Sequence, residues 1–420
     1  MPGQLKTIGV KNFRCLKNVT VQTRPINVLF GPNGIGKSSF LDAVWFVRDC
    51  AIRGTETASS DRHHGIGVLW DGAEPDARID ITLGSELAEY TVSFGYSSGR
   101  IEPFVGEQLR SLTRGKVLVD RKIGSDSATF YHEAMDQDMQ VKLREPEKLA
   151  FTNYLLFCDP SEETEEMDDI FRSVHLYTSR SVELYRLRRL GAESSQHTFL
   201  YDRWQNLWSA LRNLHGRQAR DTRYPTIAKY MRQAFPRSFS DLEFEPIGAD
   251  RVTANFIEKD RHQPIQASGV SDGHLQMLGL LVSLFGDSQR RFDLVMFDEP
   301  ETSLHPHAIS VFAEAVKDAV RTHNTQVFIS THSPVLMSQF DIESCLILDA
   351  GEERQTVVKP LAEEEGIRDL LDEYALGSLY MAEEIAPQSS SSSSSEADGD
   401  EDADEEESTT DSSEEAGKDE

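Results

Sequence analysis

The sequence predicts an α/β fold: a mainly parallel sheet wrapped by helices, with an antiparallel β-subdomain and an inserted helical lobe. Three observations carry this prediction. The apolar run INVLF leads straight into GPNGIGKSS and then into the helical pattern FLDAVWFVRDCA, so strand, glycine-rich turn and helix follow without a break. Further on, FDLVMF, HPHAISVFAEAVKDAV, TQVFIS and SCLILD alternate strand and helix at the lengths that a helix-wrapped parallel sheet requires. Between these regions, ARIDITLG and EYTVSFGY alternate polar and apolar residues with the period of two that marks half-buried antiparallel strands.

The elements in order fill out this plan. LKTIGVKNF and LKNVTVQT, rich in β-branched and aromatic residues, read as strands ahead of INVLF, and SATFYHE with QVKLRE reads as a hairpin that extends the β-subdomain. Residues 1–146 are therefore assigned to the N-terminal part of the main domain. From 147 to 236 the pattern turns helical and charged, with YDRWQNLWSALRNLHG and TIAKYMRQAF as the amphipathic stretches, and this is the expected helical lobe. It lacks the sustained heptads of a long coiled coil. Residues 237–387 return to the main domain with strands at DLEFEPI and RVTANFIE, a helix from Asp272 to Phe285, the alternating segments above, and a last helix at IRDLLDEYAL. Residues 388–420 hold the serine run Ser389 to Ser395 and then fourteen Asp and Glu against Lys418. With so few apolar groups to offset its ordering entropy, this tail is expected to be disordered.

Composition narrows the function classes. A chain of 420 residues with 38% hydrophobic content can bury a large core. No run of about 18 apolar residues could span a bilayer, and no signal-peptide pattern opens the chain, so a cytoplasmic protein without a membrane partner is expected. Cys15, Cys50, Cys158 and Cys345 are widely spaced with no CxxC pair, which removes the usual zinc spacings and a disulfide framework. The net charge of −28 argues against nucleic acid, but the tail supplies −13 of it and leaves about −15 for the rest. Basic clusters remain at Arg180, Arg186, Arg188 and Arg189 and from Arg212 to Arg223. Each is either a solvated helix face or a contact patch for DNA or a protein partner.

The string GPNGIGKSS fits GxxxxGK[ST], with Gly31, Gly36, Lys37 and Ser38 at the fixed positions and Pro32, Ile35 and Ser39 completing the loop. Glycines let the backbone curl around a phosphate with its N–H groups inward, Asn33 and Gly34 adding donors, while the following helix aims its positive end at the same point. Lys37 then reaches the β and γ phosphates and Ser38 offers its hydroxyl to Mg²⁺, so ATP and Mg²⁺ are the expected ligands. Asp298 and Glu299 close the strand FDLVMF, at the carboxyl end where ligands of open α/β sheets sit. Asp298 suits the metal, and Glu299 suits the polarisation of an attacking water. Taken alone, the pair would read as an ordinary helix cap.

The order GPNGIGKS, SDG at Ser271 to Gly273, LVMFDEP, SLHP and STHSP resembles the RecF/SMC branch of ABC ATPases, and among these the small stand-alone ATPases related to the ATPase half of OLD-type proteins. The resemblance runs over roughly residues 4 to 360, since IGVKNFRCLKNVTV and AFPRSFSDLEFEP also fit. It implies a P-loop NTPase of ABC type, in which Ser271 and Gly273 form a signature that contacts the γ phosphate held by a second protomer. It further implies that Ser303 to Pro306 form the loop between protomers and that His332 senses the γ phosphate. Arg14, within KNFR, lies either near the nucleotide or on an exposed strand. One departure stands out: no glutamine occurs between Gln22 and Gln108, where such ATPases carry one that bridges metal and phosphate. Either a residue near HHGIGVLW replaces it or water completes the metal shell.

The expected activity is Mg²⁺-dependent ATP hydrolysis by an ATP-bridged homodimer, with Lys37, Glu299 and His332 as catalytic residues. The expected setting is DNA maintenance and repair or anti-phage defence, with DNA or a separately encoded effector as partner. The competing expectations are a component of an OLD-like nuclease and a binding module that does not hydrolyse. Too few residues lie between SCLILD and the tail for the Toprim domain of complete OLD-type proteins.

Overall fold

Alternation inside buried strands organises the molecule. Along Ile26–Phe30, Val28 and Phe30 join one hydrophobic core while Leu29 joins a second. The same split recurs in Asp293–Asp298, where Val295 and Phe297 oppose Leu294 and Met296, and in Thr325–Ser330, where Val327 and Ile329 oppose Phe328. Strands with no polar face must be covered on both sides, as parallel sheets are.

The computed structural model describes residues 3–385 apart from 75–76, 287–291, 353 and 383–384. The tail assigned to residues 388–420 lies outside the described residues. The central sheet has the order Val174–Thr178, Asp293–Asp298, Thr325–Ser330, Ile26–Phe30, Cys345–Ala350, Thr356–Pro360; every neighbouring pair is parallel except the last. One of its cores is shared with an eight-stranded antiparallel sheet and the Lys37–Arg53 helix. The other is shared with the helices Leu207–Gly216, Arg223–Ala234, Asp272–Phe285 and Pro306–His323.

The eight-stranded sheet is the β-subdomain. Its order runs Gln137–Lys142, Ser127–His132, Val117–Arg121, Gly106–Ser111, Ala88–Phe94, Ile79–Gly84, Thr7–Phe13, Leu16–Gln22. The chain's first two strands thus join this sheet, and INVLF begins the central one. The Lys37–Arg53 helix buries Phe40, Ala43, Val44, Val47 and Cys50, an i, i+3, i+4 stripe. It ends at Gly54, whose N–H still bonds the Cys50 carbonyl at 3.1 Å and whose φ of 88° then turns the chain out of the helix.

Three expectations differ from the structure. The stretch 147–236 is not helical throughout: Val174–Thr178 is an edge strand of the central sheet, in parallel register with Leu294 to Asp298. The five residues VHLYT, directly after a helical pattern, show no clear period of their own, so only their pairing reveals the strand. DLEFEPI and RVTANFIE do not join the central sheet; Asp241–Ile247 and Arg251–Ile257 form a separate small antiparallel sheet with Ala192–Glu193 and Ile265–Gln266. The last helix is two, Ile367–Glu373 and Leu376–Met381, because Tyr374 takes an extended conformation. Among the described residues no helix is long and apolar enough to cross a membrane.

Candidate nucleotide site

The glycine-rich loop joins the central strand to the Lys37–Arg53 helix, and its glycines are required sterically. At Gly31, with φ of 150°, a Cβ would lie 2.1 Å from the Leu348 carbonyl oxygen; at Gly36, with φ of 110°, it would lie 2.5 Å from Cys15 Sγ. The Ile35 carbonyl is fixed by the Thr356 hydroxyl at 2.6 Å. Pro32 and Ile35 are half-buried and Ser39 likewise, whereas Asn33 and Gly34 are exposed at the loop tip. Lys37 is buried, with Nζ donating to the Gly31 and Pro32 carbonyls at 2.9 Å each. Burial lowers its pKa to about 8, against the opposing pull of Glu299, Asp298 and Glu301. The lysine is therefore folded onto the loop that it would leave for a phosphate.

The Asp293–Asp298 strand delivers its terminal carboxylate to this loop. Ser38 Oγ donates to Asp298 Oδ1 at 2.9 Å, and the Ser330 hydroxyl donates to the same oxygen. Two hard oxygens in contact at the mouth of a glycine-rich loop suit Mg²⁺. Ser38 and Asp298 would hold it, and its chemistry would be to offset phosphate charge.

Glu299 follows with φ of 54°, a left-handed conformation costly for a side chain of its size. Its N–H donates to the Ser330 carbonyl at 3.0 Å, which locks the turn. His332 Nε2 lies 4.0 Å from Glu299 Oε1. Burial and then the Lys37 charge lower the His332 pKa, which favours the neutral ring, able to donate or accept.

The signature residues stand apart from this cluster. Ser271 and Gly273 lie at the start of the Asp272–Phe285 helix, and neither lines the cleft beside Ser38. Gly273 is so close to the loop joining the Asp293–Asp298 strand to the Pro306–His323 helix that a Cβ would meet the Ser303 carbonyl at 2.8 Å. Ser271 Oγ pairs with His274 Nδ1 at 2.7 Å, while Arg188 reaches Asp272 at 2.6 Å and the Val270 carbonyl at 2.6 Å.

A cleft of about 570 Å³ opens beside Ser38 and Asp298. Arg14 lines it from the turn after the first strand, 2.8 Å from Asp42. None of the segment HHGIGVLW lines the cleft; it packs along the first hairpin, with Val68 accepting from the Arg14 N–H at 2.6 Å and Leu69 bridging Phe13. The preceding Arg62 does line it, almost fully buried, 2.6 Å from Asp42 and over the Phe46 ring at 4.6 Å. One side of the cleft is thus edged by an Arg14–Asp42–Arg62 cluster.

Sequence reasoning missed three groups. Glu301 accepts from the Thr331 hydroxyl at 2.6 Å and from the His332 N–H at 3.0 Å, and burial raises its pKa. Arg180, noted only as part of a basic cluster, lies 3.5 Å from Glu299. The Tyr380 hydroxyl donates to the Gly31 carbonyl at 3.3 Å, and its ring sits edge-on to Phe30. Only Glu301, in the motif DEPE, had a local signal.

Residues 4–63 match the AAA ATPase domain, and residues 167–338 match the AAA domain described as a putative AbiEii toxin of a type IV TA system. The chain resembles OLD-like ATPases. It is 20% identical over 365 residues to the endonuclease GajA of Bacillus cereus, an alignment covering 80% of this chain and 57% of that protein. It is also 20% identical over 360 residues to the Old nuclease of Escherichia phage P2, covering 80% and 58% respectively. The chain therefore spans little more than half the length of these relatives. Among solved structures, an SMC head bound to the C-terminal winged-helix domain of ScpA matches 86% of this chain and 99% of its own at a TM-score of 0.47 and 12% identity.

Proposed function

We propose that the protein binds and hydrolyses ATP with Mg²⁺, and that two copies sandwich the nucleotide so that Ser271 and Gly273 of one complete the site of the other. The observation that carries this reading is the convergence at one end of the central sheet. Ser38 touches Asp298 at 2.9 Å, and Glu299 and His332, one and two residues beyond the ends of their strands, stand 4.0 Å apart. Lys37 and the loop amides would bind the phosphates, and Glu299 would accept a proton from the attacking water while His332 orients it. The water oxygen bonds to the γ phosphorus, the bond to the β–γ bridging oxygen breaks, and ADP and phosphate leave. The position of Ser271 outside its own chain's cleft supports a shared site.

Glu299→Gln keeps the volume but removes the base. We expect it to retain ATP, release phosphate at least about 100-fold more slowly, and accumulate as a dimer in light scattering with ATP. A variant that stays monomeric with ATP bound would falsify the sandwich.

The nuclease relatives support a DNA-related setting such as anti-phage defence, with the ATPase acting in the cytoplasm on DNA or on a separately encoded effector. A hydrolysis-blocked protein purified from cells identifies that partner by what remains attached.

A further inference from the structure

Arg180 belongs to no motif, yet its placement is tightly specified. The edge strand Val174–Thr178 pairs in parallel with the strand that ends at Asp298, so Thr178 and Asp298 are register partners. The chain then makes a turn pinned on both sides. Ser181 N–H returns to the Thr178 carbonyl at 3.0 Å, their side-chain hydroxyls meet at 2.7 Å, and the Ser179 N–H reaches the Asp298 carbonyl at 3.4 Å. Thr302 Oγ1, three residues beyond Glu299, donates to Ser179 Oγ at 3.4 Å. Thr178 and Ser181 line the same cleft as Ser38 and Asp298.

At the tip of this turn the Arg180 guanidinium is 84% exposed and lies 3.5 Å from Glu299 Oε1, the atom that His332 Nε2 approaches at 4.0 Å. An exposed pair of this kind is screened by solvent and contributes little to stability. It is a weak hold. A planar guanidinium on a rigid turn binds a phosphate oxygen far better, through parallel charge-assisted hydrogen bonds. In the empty site Lys37 is held by the loop carbonyls, which leaves Arg180 as the cation resting against the Glu299 carboxylate.

We infer that Arg180 is an arginine finger supplied within the same chain. In the empty site it rests on Glu299; with ATP bound it shifts to the terminal phosphate, offsetting the charge that develops there and leaving Glu299 free for the water. This inference rests on the hydrolysis reading above. The shift moves no proton and breaks no covalent bond, so the balance of the reaction is unchanged.

Substitution of so exposed a residue leaves the fold intact, which makes the test direct. In Arg180→Ala we expect the affinity for a fluorescent ATP analogue to fall toward that for its ADP counterpart and kcat to be lower by about 10³-fold, the scale of known arginine fingers. Arg180→Lys should recover only part of the rate. Added guanidinium ion should raise the rate of Arg180→Ala and leave Glu299→Gln unchanged. A faster Arg180→Ala would make the contact a restraint, and an unchanged rate would make it a surface pair; either overturns the inference. If wild type itself shows no turnover, the hydrolysis reading fails separately. The finger is then judged by binding: Arg180→Ala must lose preference for ATP over ADP, and an unaltered preference overturns it.

Discussion

At the scale of single residues, the site combines groups whose meaning is local with groups whose meaning is not. Lys37, Ser38, Asp298, Glu299 and His332 were legible because each sits in a short string with its own chemistry, and the structure places them around one strand end. Arg180 and the Arg14–Asp42–Arg62 cluster were not, and the contacts of Glu301 were not despite its place in DEPE, because what these groups touch is set by pairing between distant strands. Glu301 shows the difference. One carboxylate oxygen accepts from Thr331 and from the His332 N–H, while the other is buried with no hydrogen-bond partner among the described residues. Burial favours its neutral form. Its role is therefore to hold the turn that presents His332, as a positioning residue and not a second base. Glu301→Ala should lower kcat by about 10 to 100-fold with ATP affinity nearly unchanged, whereas Glu301→Gln, which keeps the accepting oxygen, should restore most of the rate. Equal kcat in Glu301→Ala and wild type rules out that role.

At the scale of elements, helix starts explain how the β-subdomain is fixed to the rest. The Glu162–Ser173 helix begins with a reciprocal cap between Ser161 and Thr164, and Glu163 in its first turn is almost fully buried. Its carboxylate accepts from Ser111 and Thr113 at 2.8 Å each and pairs with Arg114 at 3.0 Å, which ties the helix to the turn after Gly106–Ser111. Burial by itself would raise the Glu163 pKa, but hydrogen bonds from its own backbone N–H and from Ser111, Thr113 and Ser161 outweigh it and hold the value at about 2. The carboxyl is thus more acidic folded than unfolded. Its stabilisation is fully present above the ordinary value of 4.5 and is lost as pH falls from there toward about 2. Glu163→Gln should cost on the order of 2 kcal/mol at pH 7 in urea unfolding, and that gap should narrow steadily between pH 5 and pH 3. A gap as wide at pH 3 as at pH 7 contradicts the assignment. None of this was legible in sequence, since the partners of Glu163 lie about 50 residues away on another element. The edge strand Val174–Thr178, directly after this helix, was hidden for the same reason.

At the scale of the whole molecule, the two cores separate the halves of the proposed site. The glycine-rich loop runs into a helix of one core, and the signature starts a helix of the other, with the central sheet between them. The alternation of strands and helices made this layering legible, but it could not show that Ser271 stays out of its own chain's cleft, where it is engaged instead by His274. If each site takes its loop from one protomer and its signature from the other, two inactive variants must complement. Lys37→Ala removes the loop lysine and leaves the signature intact; Ser271→Arg does the reverse. In a mixed dimer one site inherits both defects and the other inherits neither. Equal mixing puts about half of the chains in mixed dimers with one working site of two, so activity should return to about a quarter of wild type, with a steep dependence on protein concentration. Sites completed within one chain give no recovery at any ratio, so a mixture no more active than its separate components excludes the shared arrangement.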